Sequence, residues 1–138
     1  MTLIHATCVA IRGRAILLAG ASGRGKSDLA LRLIDRGAVL VSDDYTELRA
    51  NDGRLLASAP ATIAGKIEIR GIGIVEVDAL PCAPVCLFVD LDAEPERLPE
   101  PRTQILEGMP IPSIALSALE ASAPIKVETA LTMYGLPL

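Results

Sequence analysis

The sequence predicts an α/β fold: a nucleotide-binding type of core enlarged by extra β-hairpins and closed by a C-terminal helix. Three observations carry that prediction. A glycine-rich segment, Gly20–Ser27, lies between an apolar β-type run and a helical repeat. Two pairs of β-type runs are joined by short glycine-containing links. The last apolar stretch, Lys126–Tyr134, has helical spacing. At 138 residues the chain matches the length of one compact domain with one sizeable core.

Taken in order, Thr7–Ile11 and Ala15–Ala19 are β-rich and flank Arg12-Gly13-Arg14, a hairpin signal. Leu29, Ala30, Leu33 and Ile34 recur at helical spacing, and Gly37 stops that helix. Ala38–Ser42 is a short apolar run ending at two aspartates and reads as a buried strand. Tyr45–Arg49 and Arg54–Ser58 flank Asn51-Asp52-Gly53, a second hairpin. Val85–Leu91 is the most apolar strand candidate. Prolines 95, 99 and 101 make Glu94–Arg102 an exposed loop. Ile111–Leu116 reads as a strand, and Val127, Ala130, Leu131 and Tyr134 share one face of the closing helix. This order lacks the regular βαβα alternation of a doubly wound sheet.

Composition excludes several functions. Hydrophobic residues make up 51% of the chain, too many for a disordered one. The aromatics are Tyr45, Phe88 and Tyr134, too few for base-stacking platforms on single-stranded nucleic acid. A net charge of −4, from 13 basic and 17 acidic residues, leaves no basic footprint for duplex DNA. No run approaches the roughly 20 apolar residues of a bilayer span, and the N-terminus lacks the pattern of a secretory leader. Cys8, Cys82 and Cys86 are too few for a disulfide framework and read as buried thiols, so the cytoplasm is the expected compartment.

Gly20-Ala21-Ser22-Gly23-Arg24-Gly25-Lys26-Ser27 fits G-x-x-x-x-G-K-[ST] at every fixed position, with a strand before it and a helix after it. Glycines let successive N–H groups face phosphate oxygens, and the helix N-terminus adds positive partial charge. Lys26 reaches β- and γ-phosphates in this motif, and the Ser27 hydroxyl ligates Mg²⁺. Arg24 occupies a variable position and is expected to face solvent.

Phosphoryl transfer also needs a carboxylate at the metal and a group that takes the nucleophile's proton. Asp43-Asp44 follows the buried strand at its carboxyl end, and Asp90, with Asp92 two residues on, follows Val85–Val89 in the same way. Spacing alone leaves the choice between them open. In Lys66–Ile74, Lys66, Glu68 and Arg70 alternate and share one face of an extended segment. That face is either simply solvated or a metal carboxylate beside a cation.

Together, Gly20–Ser27 followed by Asp28, Val41-Ser42-Asp43-Asp44, and Glu68-Ile69-Arg70-Gly71-Ile72-Gly73-Ile74 resemble the catalytic domain of the bacterial HPr kinase/phosphorylase family. His5 stands where the family has a histidine, and the resemblance covers most of residues 3–80. It implies a kinase that uses ATP and Mg²⁺ to phosphorylate a serine of HPr, the phosphocarrier of a phosphotransferase system, and that in many members also reverses the reaction by phosphorolysis. Carried over, Lys26 neutralises phosphates and Ser27 and Glu68 serve the metal. Asp43 and Asp44 handle the serine proton, with Asp44 the preferred base. His5 sits at the same centre, and Arg70 shapes a loop used in both directions. Glu128 is a further aligned position. The resemblance favours Asp43-Asp44 over Asp90 and implies a homo-oligomer, a hexamer in the family.

The chain resembles the short forms of the family that consist of the catalytic domain alone, and one catalytic domain over residues 1–138 is expected. Longer members carry an Arg-containing loop before the final helix, implicated in dephosphorylation, whereas Pro110–Pro124 contains neither Arg nor Lys. Two other functions fit the motif: a small-metabolite kinase, disfavoured by the lack of an Arg-rich lid, and a non-catalytic ATP-binding regulatory module.

Overall fold

The computed structural model describes residues 1–138. Its strands are β1 (Thr2–Ile4), β2 (Ala6–Ile11), β3 (Arg14–Ala19), β4 (Val39–Ser42), β5 (Thr46–Asn51), β6 (Arg54–Ser58), β7 (Lys66–Ile69), β8 (Gly73–Glu76), β9 (Ala83–Asp90), β10 (Arg102–Leu106) and β11 (Met109–Ala115). The α-helices are α1 (Lys26–Asp35) and α2 (Ala123–Tyr134), and Ala61–Ile63 forms a single 3-10 turn.

Nine strands form one curled mixed sheet in the order β1-β5-β6-β9-β3-β2-β4, with β11 on β9 and β10 beyond it. β3, β9 and β11 run parallel, while β2 is antiparallel to both β3 and β4. The carboxyl ends of β3, β4, β9 and β11 therefore open on one edge, where open α/β sheets place their ligands. β7 and β8 form a separate antiparallel hairpin.

Strand alternation divides the core in two. Val9, Ile16, Leu18, Leu40, Leu87 and Val89 pack against Leu29, Ala30 and Leu33 of α1 and Val127 and Leu131 of α2. Cys8, Leu17, Val41, Leu48, Leu55, Val85 and Phe88 form a second cluster that contains no helical residue. Each fully buried leucine contributes about 1.5–3 kcal/mol relative to exposure, so the many leucines, isoleucines and valines make up for the scarcity of aromatics. No buried side-chain nitrogen or oxygen lacks a partner. No helix is long and apolar enough to cross a membrane.

The two hairpins, α1, β4, β9 and β11 lie where the sequence places them. Four differences have local causes. β1 and β10 are short and exposed, so they lack the apolar alternation that marks a strand. β10 takes Arg102 out of the proline loop and turns through Glu107-Gly108 into β11. α2 starts at Ala123, earlier than Lys126, because Pro124 sits in its first turn, where no N–H is needed. Cys8 and Cys86 are buried, and burial pushes both thiols up, Cys8 the more strongly; Cys82 is exposed, against expectation, because it lies in the turn before β9.

The chain end is latched back onto β3 and β9. Arg14 donates to the carbonyls of Leu131 and Leu136, and the Leu136 N–H bonds to the carbonyl of Cys86 at 2.9 Å. Gly135 makes this approach possible, since a Cβ there would lie 2.5 Å from the Leu131 oxygen. Gly135→Ala is expected to destabilise the fold by about 1–3 kcal/mol, the usual cost of overpacking, read as a lower urea midpoint.

Candidate active site

The glycine-rich loop leaves β3 and enters α1. Gly23 and Gly25 both have φ of 86°, a left-handed conformation that a side chain would strain. Gly25 is the N-cap of α1 and no side chain caps the helix, so its first N–H groups are left to meet an anion. Lys26 is only 6% exposed, and its Nζ donates to the carbonyls of Gly20 at 2.9 Å and Ala21 at 3.3 Å. Its stem packs at the helix start and its ammonium lies across the loop mouth.

At the end of β4, the two aspartates diverge. Asp43 is buried and accepts three hydrogen bonds: from Ser27 Oγ at 2.6 Å, Thr7 Oγ1 at 3.2 Å and the Glu68 N–H at 2.9 Å. Asp44 adopts φ of 66° and faces the cleft. Its Oδ1 lies 2.8 Å from His5 Nε2 and 3.9 Å from Lys26 Nζ. The His5 ring stacks on Tyr45, with centroids 4.9 Å apart.

β7 brings in the third group. Ile67 is buried while Lys66, Glu68 and Arg70 point outward, as their alternation predicts. The bond between the Glu68 N–H and Asp43 ties this hairpin to β4, so Glu68 and Arg70 line the cleft; Lys66 does not. The cleft has a volume of about 470 Å³ and gathers Ser22, Gly23, Gly25, Lys26 and Ser27 with Asp43, Asp44, Glu68 and Arg70.

Asp90 has a different place. Its Oδ1 accepts the N–H groups of Asp92 and Ala93, a local turn, and it lines a separate cavity of about 220 Å³ beside Glu94, Glu96 and Tyr134. Asp92 instead grips the glycine-rich loop, accepting the Ala21 N–H at 3.1 Å and pairing with Arg24 Nε at 3.1 Å. Arg24 is thus exposed but not without a partner. Glu128 also lies outside the cleft: it takes the guanidinium of Arg36 at 2.8 and 3.0 Å and raises that group's pKa. Sequence reasoning missed Thr7 and the loop-holding role of Asp92, because neither has a local signature.

These features define an α/β domain whose glycine-rich loop, buried lysine and acidic groups converge at the carboxyl edge of the sheet. The sequence profile of the HPr serine kinase C-terminal domain matches residues 1–83. The chain belongs to that family. An HPr kinase/phosphorylase of Clostridium botulinum (strain Eklund 17B / Type B) is 46% identical over 79 residues, which cover 57% of this chain and 26% of that protein. One of Clostridium tetani is 43% identical over the same length. These matches span about a quarter of the curated relatives' length. The fold extends the likeness further: the structure of the Hpr(Ser) kinase/phosphatase from Coxiella burnetii superposes with a TM-score of 0.83 and 31% identity, over 96% of this chain and 89% of that one.

Proposed function

We propose that this chain is a serine kinase domain that uses ATP and Mg²⁺ to phosphorylate an HPr-type phosphocarrier protein. The observation that carries the reading is the division of labour between the aspartates: Asp43 is bound to Ser27, while Asp44 stands open to the cleft beside His5 and Lys26.

The donor set fits Mg²⁺, which binds through one or two carboxylates and substrate phosphates rather than an all-protein cage. Ser27 and Glu68 would hold it, with Asp43 accepting from the serine hydroxyl; bound there, it would neutralise charge on the phosphates. Lys26 and the N–H groups at the start of α1 bind and orient the phosphate chain. Asp44 takes the proton of the attacking serine, and His5 fixes the direction of that carboxylate through the 2.8 Å contact. Arg70 lines the same cleft and supplies a cation for the transferring group.

In the reverse direction Asp44 returns the proton to the leaving serine. The stretch before α2 contributes the apolar Leu119 to the cleft, not a cation. Forward transfer is therefore the expected main activity.

Intact-protein mass spectrometry of HPr incubated with this chain, ATP and Mg²⁺ tests the reading. One added phosphoryl group mapping to a serine is expected. ATP binding with no modification of HPr would move the assignment to a regulatory ATP-binding module. Pyrophosphate release from phospho-HPr and phosphate then measures the reverse reaction.

A further inference from the structure

Thr7 is fully buried in β2, yet its hydroxyl touches both aspartates. It donates to Asp43 Oδ1 at 3.2 Å and accepts the N–H of Asp44 at 3.0 Å. A hydroxyl carries one proton, so donation to Asp43 turns a lone pair toward Asp44. The same Asp43 oxygen receives the Ser27 hydroxyl at 2.6 Å. A single path of hydrogen bonds thus runs from the Asp44 backbone through Thr7 and Asp43 to the first turn of α1.

The Asp44 backbone needs such support. Its φ of 66° is uncommon for a residue with a side chain and persists where the surroundings impose it. Thr7 accepts the N–H in that conformation, and the Asp44 carboxylate then reaches His5. His5 precedes Thr7 by two residues, so one short stretch at the start of β2 holds Asp44 by backbone and by side chain.

We propose that Thr7 is a positioning residue for phosphoryl transfer: its hydroxyl sets Asp44 at the acceptor. This rests on the proposed kinase reading. Thr7→Val keeps the shape and removes the hydroxyl, whereas Thr7→Ser keeps the hydroxyl.

His5 is the only histidine of the chain, so its ring ¹⁵N resonances report the Asp44 contact without ambiguity. In Thr7→Val those resonances are expected to shift, and in Thr7→Ser to stay at the wild-type positions. The kcat for HPr phosphorylation should fall about 10- to 100-fold in Thr7→Val, the scale of a misplaced catalytic group. KM for ATP should change less than about threefold, because Asp43 keeps Ser27 and Glu68. If Thr7→Val does not fold, Thr7→Ala must show the same two changes.

A wild-type His5 spectrum and kcat in Thr7→Val would overturn the proposal. So would equal losses in Thr7→Ser and Thr7→Val, which would assign the effect to packing of the methyl group. If the wild-type chain phosphorylates no HPr, the kinase reading fails, and the His5 resonances still decide whether Thr7 holds Asp44.

Discussion

Lys26→Ala is expected to lower phosphotransfer to HPr by about 100- to 1,000-fold, the scale of removing one group that stabilises transition-state charge. Lys26 is the only lysine buried in the chain, and its ammonium is held across the mouth of the glycine-rich loop by the carbonyls of Gly20 and Ala21. The other nearby cations are placed differently: Arg70 lines the cleft just after β7, and Arg24 is engaged by Asp92. Single-turnover transfer at saturating ATP gives the measurement, with thermal unfolding to show that the variant is folded. Undiminished transfer by a folded Lys26→Ala protein would overturn the phosphate-binding assignment of Gly20–Ser27.

Asp44→Asn should lose about 100- to 10,000-fold in turnover while ATP affinity is retained, because a general base acts only in the chemical step. The amide keeps the size of the carboxylate and can still meet His5, so the loss reports the missing base rather than a collapsed cleft. Asp90→Asn is the matched control. An asparagine oxygen can accept the same N–H groups of Asp92 and Ala93, so turnover close to wild type is expected. Steady-state kinetics with calorimetric ATP titration separates the two variants. Loss of turnover in Asp90→Asn with normal turnover in Asp44→Asn would exchange their roles.

Much of this was legible along the chain because the relevant physics is local. Gly20–Ser27 announces its loop through glycines at fixed offsets, and the buried positions Leu29, Ala30 and Leu33 follow the helical repeat. β4 is an apolar run followed by two aspartates and β9 one that ends in aspartate, both visible as buried strands without knowledge of their neighbours. Strand β10 gave no such signal, because it is exposed along most of its length and carries no apolar alternation. Glu128, expected from the resemblance to align with a family position, pairs instead with Arg36 at the end of α1, outside the cleft.

The candidate site divides along the same line. Motif spacing determined that a lysine, a serine and nearby carboxylates are the candidates for one site, since each signal lies within a few residues. Only the tertiary structure decided which carboxylate is buried against Ser27 and which faces the cleft. Asp43 and Asp44 are chemically alike and adjacent, and their carboxylates part company because Thr7 and the Glu68 N–H bond to that of Asp43 and His5 to that of Asp44. Thr7 and Asp43 are 36 residues apart, and Asp92 and Ala21 are 71 apart. Contacts across such separations arise from how the strands pair, a property of the whole chain that no local run of residues encodes.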